Sequence, residues 1–143
     1  MSTLEQETDL VTHWDREGKP ISLGDWSRLW NDPDYRIVAK TPHLDAVVQT
    51  QWEGINDGVQ VATMYHTGIG WAGTWTTVWE GYYPCTEADA KKAHRQIVKL
   101  LREMCPKPPA GAEYARHARA IQRNIDQLLS EAEEDDGQPT PES

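Results

Sequence analysis

The chain has 143 residues, of which 38% are hydrophobic, and a formal net charge of −9. That length suits one domain with a real core. The hydrophobic share lies below the usual globular value, which leaves part of the chain outside that core. No apolar run approaches the roughly 20 residues of a membrane span, and no basic-then-apolar leader is found, so no membrane association is expected and a soluble protein of the cytoplasm is.

The acidity is uneven. Residues 1–9 are polar and acidic, with Glu5, Glu7 and Asp9, and residues 131–143 read EAEEDDGQPTPES. The latter has no aliphatic residue larger than Ala and cannot bury enough apolar surface to offset its ordering entropy. Both ends, residues 1–11 and 131–143, are expected to be disordered acidic tails around a single domain at residues 12–130. Residues 10–90 hold eleven acidic and five basic side chains, whereas residues 91–130 hold three acidic and nine basic. A mimic of nucleic acid would carry its negative charge on the folded surface, and here much of it sits in the tails.

In chain order, residues 12–14 form a short strand and residues 15–18 a turn. Ser22-Leu-Gly-Asp25 has capping-box spacing and opens a helix over 23–31 that Asp32-Pro33-Asp34 ends. Strands come next at 35–41 and 46–53, the latter with Val48, Thr50 and Trp52 on one face. Asn56-Asp-Gly58 supplies turn chemistry before a strand at 59–67. A last strand at 74–80 places Trp75, Thr77 and Trp79 together. Thr86-Glu-Ala-Asp89 caps a helix over 87–104, with Ala90, Ala93, His94, Ile97, Leu100, Leu101 and Met104 as its apolar stripe. Cys105-Pro-Lys-Pro-Pro109 breaks it. A final helix runs over 112–131 with Tyr114, Ala118, Ile121, Ile125 and Leu128 on its stripe. The expected fold is α+β: a small antiparallel meander of about four strands, helices packed on one side, and a C-terminal helical extension.

Gly68-Ile-Gly70-Trp-Ala-Gly73 fits G-x-G-x-x-G, the spacing that cradles a pyrophosphate. That motif must open a helix whose amides hold the phosphates. The adjoining run, Thr74-Trp-Thr-Thr-Val-Trp-Glu80, is rich in β-branched and aromatic residues and reads as a strand. GIGWAG is therefore expected at a hairpin tip, its glycines serving backbone angles, and no nucleotide or other cofactor is expected.

Cys85 and Cys105 bracket a helix that would hold them about 27 Å apart, beyond disulfide reach. Both are expected to be free thiols. His43, His66 and Cys85 can be drawn as a metal site but lack ligand spacing. His94 lies on an apolar stripe and reads as a packed histidine with a satisfied hydrogen bond. No catalytic residue is assigned. Of seven tryptophans, most belong in the core; Trp71 has the best claim to exposure, and Trp71 with Trp75 is the candidate partner-binding pair. Lys92, Arg95, Lys99 and Arg102 form one basic stripe and Arg116, Arg119 and Arg123 another. These are solvated helix faces or, alternatively, a nucleic-acid surface.

The order of motifs resembles a family of small, mostly uncharacterised proteins of actinobacterial phages and their hosts. The resemblance runs from about residue 26 to residue 94. It rests on Trp26 with Leu29, Tyr35-Arg-Ile-Val-Ala-Lys-Thr41, Val48-Gln-Thr-Gln-Trp-Glu-Gly54 with Asn56, Ala62-Thr-Met64, and Thr86-Glu-Ala-Asp-Ala90 with His94. Ala62 stands where an acidic residue is expected, and the hairpin is richer in Trp. The resemblance implies a phage-related origin and supplies no catalytic residue. The expectation is a non-enzymatic phage accessory protein that binds a host protein in the host cytoplasm, for host takeover or against a defence system. The alternative is nucleic-acid binding through the basic stripes.

Overall fold

The computed structural model describes residues 12–56, 62–107 and 113–137, without the side chains of residues 114, 115 and 128–137. Four strands, β1 (Ile37–His43), β2 (Ala46–Ile55), β3 (Thr63–Trp71) and β4 (Thr74–Tyr82), form one sheet in the order β1-β2-β3-β4. All three pairings are antiparallel. The chain is α+β, and its sheet is the meander that short strands and tight turns predict.

β2 alternates between buried and half-buried residues along its whole length, so one face of the sheet is the core face. Val48, Thr50 and Trp52 lie on it, as the alternation predicted, opposite Ile69, Thr67 and Tyr65 of β3. Helix α3 (Glu87–Met104) packs on all four strands, and α4 (Glu113–Gly137) lies against α3 and β4. The Thr86 hydroxyl accepts from the Asp89 N–H while the Asp89 carboxylate accepts from the Thr86 N–H. This reciprocal cap fixes the start of α3 at the residue the sequence indicates. Ala90, Ala93, Ile97 and Leu101 of α3 and Ala118, Ile121 and Ile125 of α4 complete the buried core.

At the other end of the core face, α1 (Leu23–Trp30) stacks Trp26 on Trp30 at 5.2 Å between ring centroids, and both rings lean on the buried Trp52. Tyr35 meets Trp52 edge-on, and Trp52 Nε1 donates to the Trp14 carbonyl. Much of the tryptophan content is this one aromatic cluster.

Three boundaries differ from expectation. α1 ends at Trp30, just ahead of Asp32-Pro33-Asp34 as expected, but Pro33 also opens the one-turn α2 (Pro33–Arg36), capped by Asp32. Proline suits a first helical position because the missing N–H has no intrahelical partner there. Tyr35 and Arg36 are consequently helical, and β1 begins at Ile37. β3 extends to Trp71, so Gly68 and Gly70 lie within a strand; the turn is Ala72-Gly73, both at positive φ (46° and 78°), as a two-residue hairpin turn requires. Finally, α4 continues to Gly137, so the backbone of residues 131–137 is helical where a disordered acidic tail was expected. Glu and Ala are good helix formers, and helix propagation is easier than nucleation. The tail expected at residues 1–11 lies outside the described residues, as do the turn at residues 57–58, residues 59–61 at the start of the expected third strand, residues 108–112 and residues 138–143.

Candidate functional site

The face of the sheet opposite the core is open. Register places Val47, Gln49 and Gln51 of β2 beside Gly70, Gly68 and His66 of β3, and Trp75, Thr77 and Glu80 of β4 on the far side of those three. Trp75 and Trp79 were expected on one face. They are split by a bulge: Thr67 pairs with Trp79 and Gly68 with Thr77, leaving Val78 as an extra residue on β4. An extra residue inverts the alternation. Trp79 turns into the core at 7% exposure while Trp75 stays on the open face at 42%. Trp71, expected to be the exposed one, is half-buried against the core because it shares the parity of Tyr65, Thr67 and Ile69.

The glycines of GIGWAG serve Trp75. A Cβ on Gly68 would fall 2.2 Å from indole Cζ2, and one on Gly70 would fall 2.9 Å from Cε3. The indole therefore lies across both residues, one ring face on the strand and the other toward solvent. Neither Gly68 nor Gly70 has a positive φ, so the reason for glycine here is close approach rather than backbone angle.

Beside Trp75 is the β1–β2 turn, Leu44-Asp45. Leu44 has φ 56° and is 45% exposed. A leucine in the left-handed region is disfavoured by about 1 kcal/mol or more, and its exposed side chain gains little burial in return. Leu44, Asp45, Val47, Trp71 and Trp75 line a depression of about 480 Å³ at this end of the sheet. The structure thus brings the two sequence-selected aromatics together and adds Leu44 and Val47. The sequence held no signal for Leu44, because its importance rests on a turn conformation.

Further along the open face, a row of polar side chains is held in place. Gln49 Nε2 donates to Gln51 Oε1 at 3.1 Å, Gln51 Nε2 donates to Glu53 Oε2 at 3.2 Å, and His66 Nδ1 pairs with Glu53 Oε2. The His66 ring meets Trp75 edge-on at 6.1 Å. Burial alone would raise the Glu53 carboxyl, but the bonds from His66 and Gln51 and the charge of Arg36 hold it below the ordinary carboxylate range.

The other nominated residues are placed differently. Lys92, Arg95, Lys99 and Arg102 are exposed on α3, and Arg116, Arg119 and Arg123 on α4. Arg95, Lys99 and Arg102, with Glu103, line a second depression of about 480 Å³ whose other walls are Thr41, His94 and Val98; Lys92 and the α4 arginines are not part of it. His94 is a satisfied core histidine. Its Nε2 bonds the Thr41 hydroxyl and its Nδ1 the Thr50 hydroxyl, both at 2.8 Å, and Thr50 in turn bonds Thr67. Burial, with the Arg95 charge, lowers its pKa, so it stays neutral with one ring nitrogen donating and one accepting. His43 bonds the Cys105 carbonyl, far along the chain from His66 with its Glu53, and among the described residues no three metal-ligating side chains converge. Cys85 and Cys105 are free thiols. Burial and Asp89 push the Cys85 thiol up to about 12, away from a reactive thiolate. Among the described residues, no helix is long and apolar enough to cross a membrane.

Comparison of the chain with protein-family models, with curated proteins and with solved structures finds no match.

Proposed function

We propose that this chain is a non-enzymatic binding protein that holds a protein partner at the open end of its sheet. One observation carries the reading: an exposed leucine, Leu44, is kept at a disfavoured backbone angle beside an indole laid flat on two glycines. Strained, exposed apolar positions concentrate at ligand-binding surfaces, and exposed aromatics serve as interface anchors. The resemblance to phage proteins extends the reading to an accessory role in the host cytoplasm, with a host protein as partner.

The test is a pull-down from an actinobacterial lysate in the presence of nuclease, repeated with Leu44→Asp and Trp75→Leu. A partner retained by the parent chain and lost from both variants is expected. Retention that persists in both variants overturns this surface. A second reading, nucleic-acid binding, is favoured by the convergence of Arg95, Lys99 and Arg102 on one depression with no ion pair to any of them among the described residues. Retention lost on nuclease treatment, and reduced in Arg95→Gln/Lys99→Gln, would support it instead.

A further inference from the structure

The chemistry of the open face narrows the partner. We propose that its docking segment presents an arginine, whose guanidinium stacks on the solvent face of Trp75 and pairs with the carboxylates around it. The arginine rests on the proposed binding surface and deepens that reading.

The platform is a built feature. Glycine inside a strand weakens it, yet β3 has two, at positions 68 and 70, and the indole of Trp75 occupies the space both leave. That ring still has 42% of its residue surface exposed. A flat indole with one bare face attracts a cation through its quadrupole, and tryptophan does so best.

The electrostatics agree. Glu53 and Glu80 lie on either side of His66, whose ring stands T-shaped to Trp75, and the Tyr82 hydroxyl donates to Glu80 Oε1 at 3.1 Å. Asp45 lines the depression at the other end of the ring. In the four strands the sole Lys or Arg is Lys40, which stands opposite Gln49 on this face, and Arg36 of α2 acts on Glu53 from the side of the helix. A nucleobase could also stack on an indole, but its phosphates would meet Glu53 and Glu80. Between the two cationic side chains, guanidinium is planar and weakly hydrated, and stacks while still donating to carboxylates. Ammonium does this poorly. An apolar neighbour of that arginine would fill the depression between Leu44, Val47 and Trp71.

Fluorophore-labelled hexaarginine, hexalysine and hexaglutamate are titrated with the full chain by anisotropy at low salt. Hexaarginine should bind more tightly than hexalysine, and hexaglutamate should not bind. Trp75→Leu keeps apolar cover over the glycines but removes the π face, and should weaken hexaarginine by about fivefold. Trp75→Tyr, which keeps an aromatic face, should retain most of the binding. Glu53→Gln/Glu80→Gln should weaken hexaarginine as well. If Trp75→Leu binds hexaarginine as the parent does, or hexalysine binds as tightly as hexaarginine, the proposal falls and the acidic residues 131–136 account for the attraction. A partner captured from lysate and lost in Trp75→Leu, with no Trp75 dependence for hexaarginine, would keep the binding surface and discard the arginine.

Discussion

The two faces of the sheet are made by the same strands and differ in how completely their groups are used. On the core face, Thr50 and Thr67 bond each other, and His94 is bonded at both ring nitrogens. One residue along each strand, Gln51 and His66 face outward in a row that ends at a bare indole. Alternation alone separates them. The core face closes on itself and stabilises. The open face holds fixed donors, acceptors and an aromatic surface without covering them, and carries a disfavoured backbone angle at its end. A face built only for stability would carry neither.

The sharpest test of this contrast removes an aromatic from each face. Trp52 is fully buried and touches Trp26, Trp30 and Tyr35. Trp52→Ala should cost about 3–5 kcal/mol, read by urea unfolding. Trp75→Leu should cost less than about 1 kcal/mol. Equal costs would mean that the open face is core in all but position.

Gly68→Ala should cost about 1–3 kcal/mol, because a Cβ there overlaps the Trp75 ring. The effect is specific to that pair: in a Trp75→Leu background most of the cost should vanish, as a double-mutant cycle measures. A cost unchanged in that background would place the strain in the backbone instead.

Leu44→Asn should do the opposite and stabilise the protein, by about 1 kcal/mol, since asparagine tolerates the left-handed region that Leu44 occupies. The same substitution should weaken partner binding. Stabilisation with undiminished binding would remove Leu44 from the surface.

The smallest effects are in pH. Burial lowers the His94 pKa, so the unfolded chain takes up that proton more readily than the folded one. The stability this provides is complete above the ordinary value of 6.5 and is lost as pH falls through the lowered one. The melting temperature should therefore decline on acidification below about 6.5, and His94→Gln should flatten that decline; His13, lowered in the same direction, is present in both proteins. The open face responds in a separate window. The lowered Glu53 contributes above its ordinary value of 4.5 and loses its contribution only as pH falls below it. Glu53→Gln should flatten only that lower limb.

Helix α3 was legible because cap and stripe agree: it starts at Glu87 and ends at Met104 as read, and most of its stripe is buried. The faces of β2 were equally legible, and so was the satisfied state of His94. The candidate surface was only half legible. Trp71 and Trp75 were selected from the hairpin, but Trp71 is half-buried because it ends β3 on the parity of the core face, and Trp75 parts from Trp79 because a bulge at Val78 resets the parity between them. A bulge leaves no mark in a run such as Thr74-Trp-Thr-Thr-Val-Trp79, in which every residue favours strand.

By itself the sequence determined what local rules control. Periodicity set the element types and the α+β class, capping chemistry set the start of α3, and composition set the polar ends. The tertiary structure decided what depends on neighbours distant in the chain. The space over Gly68 and Gly70 exists for Trp75 because strand pairing brings them together. Leu44 matters because its turn ends beside that ring. The row from Gln49 to His66 forms because register aligns two strands seventeen positions apart at Thr50 and Thr67. Pairing register and a one-residue bulge are properties of the assembled sheet, settled by packing against α3, and residues read one after another do not contain them.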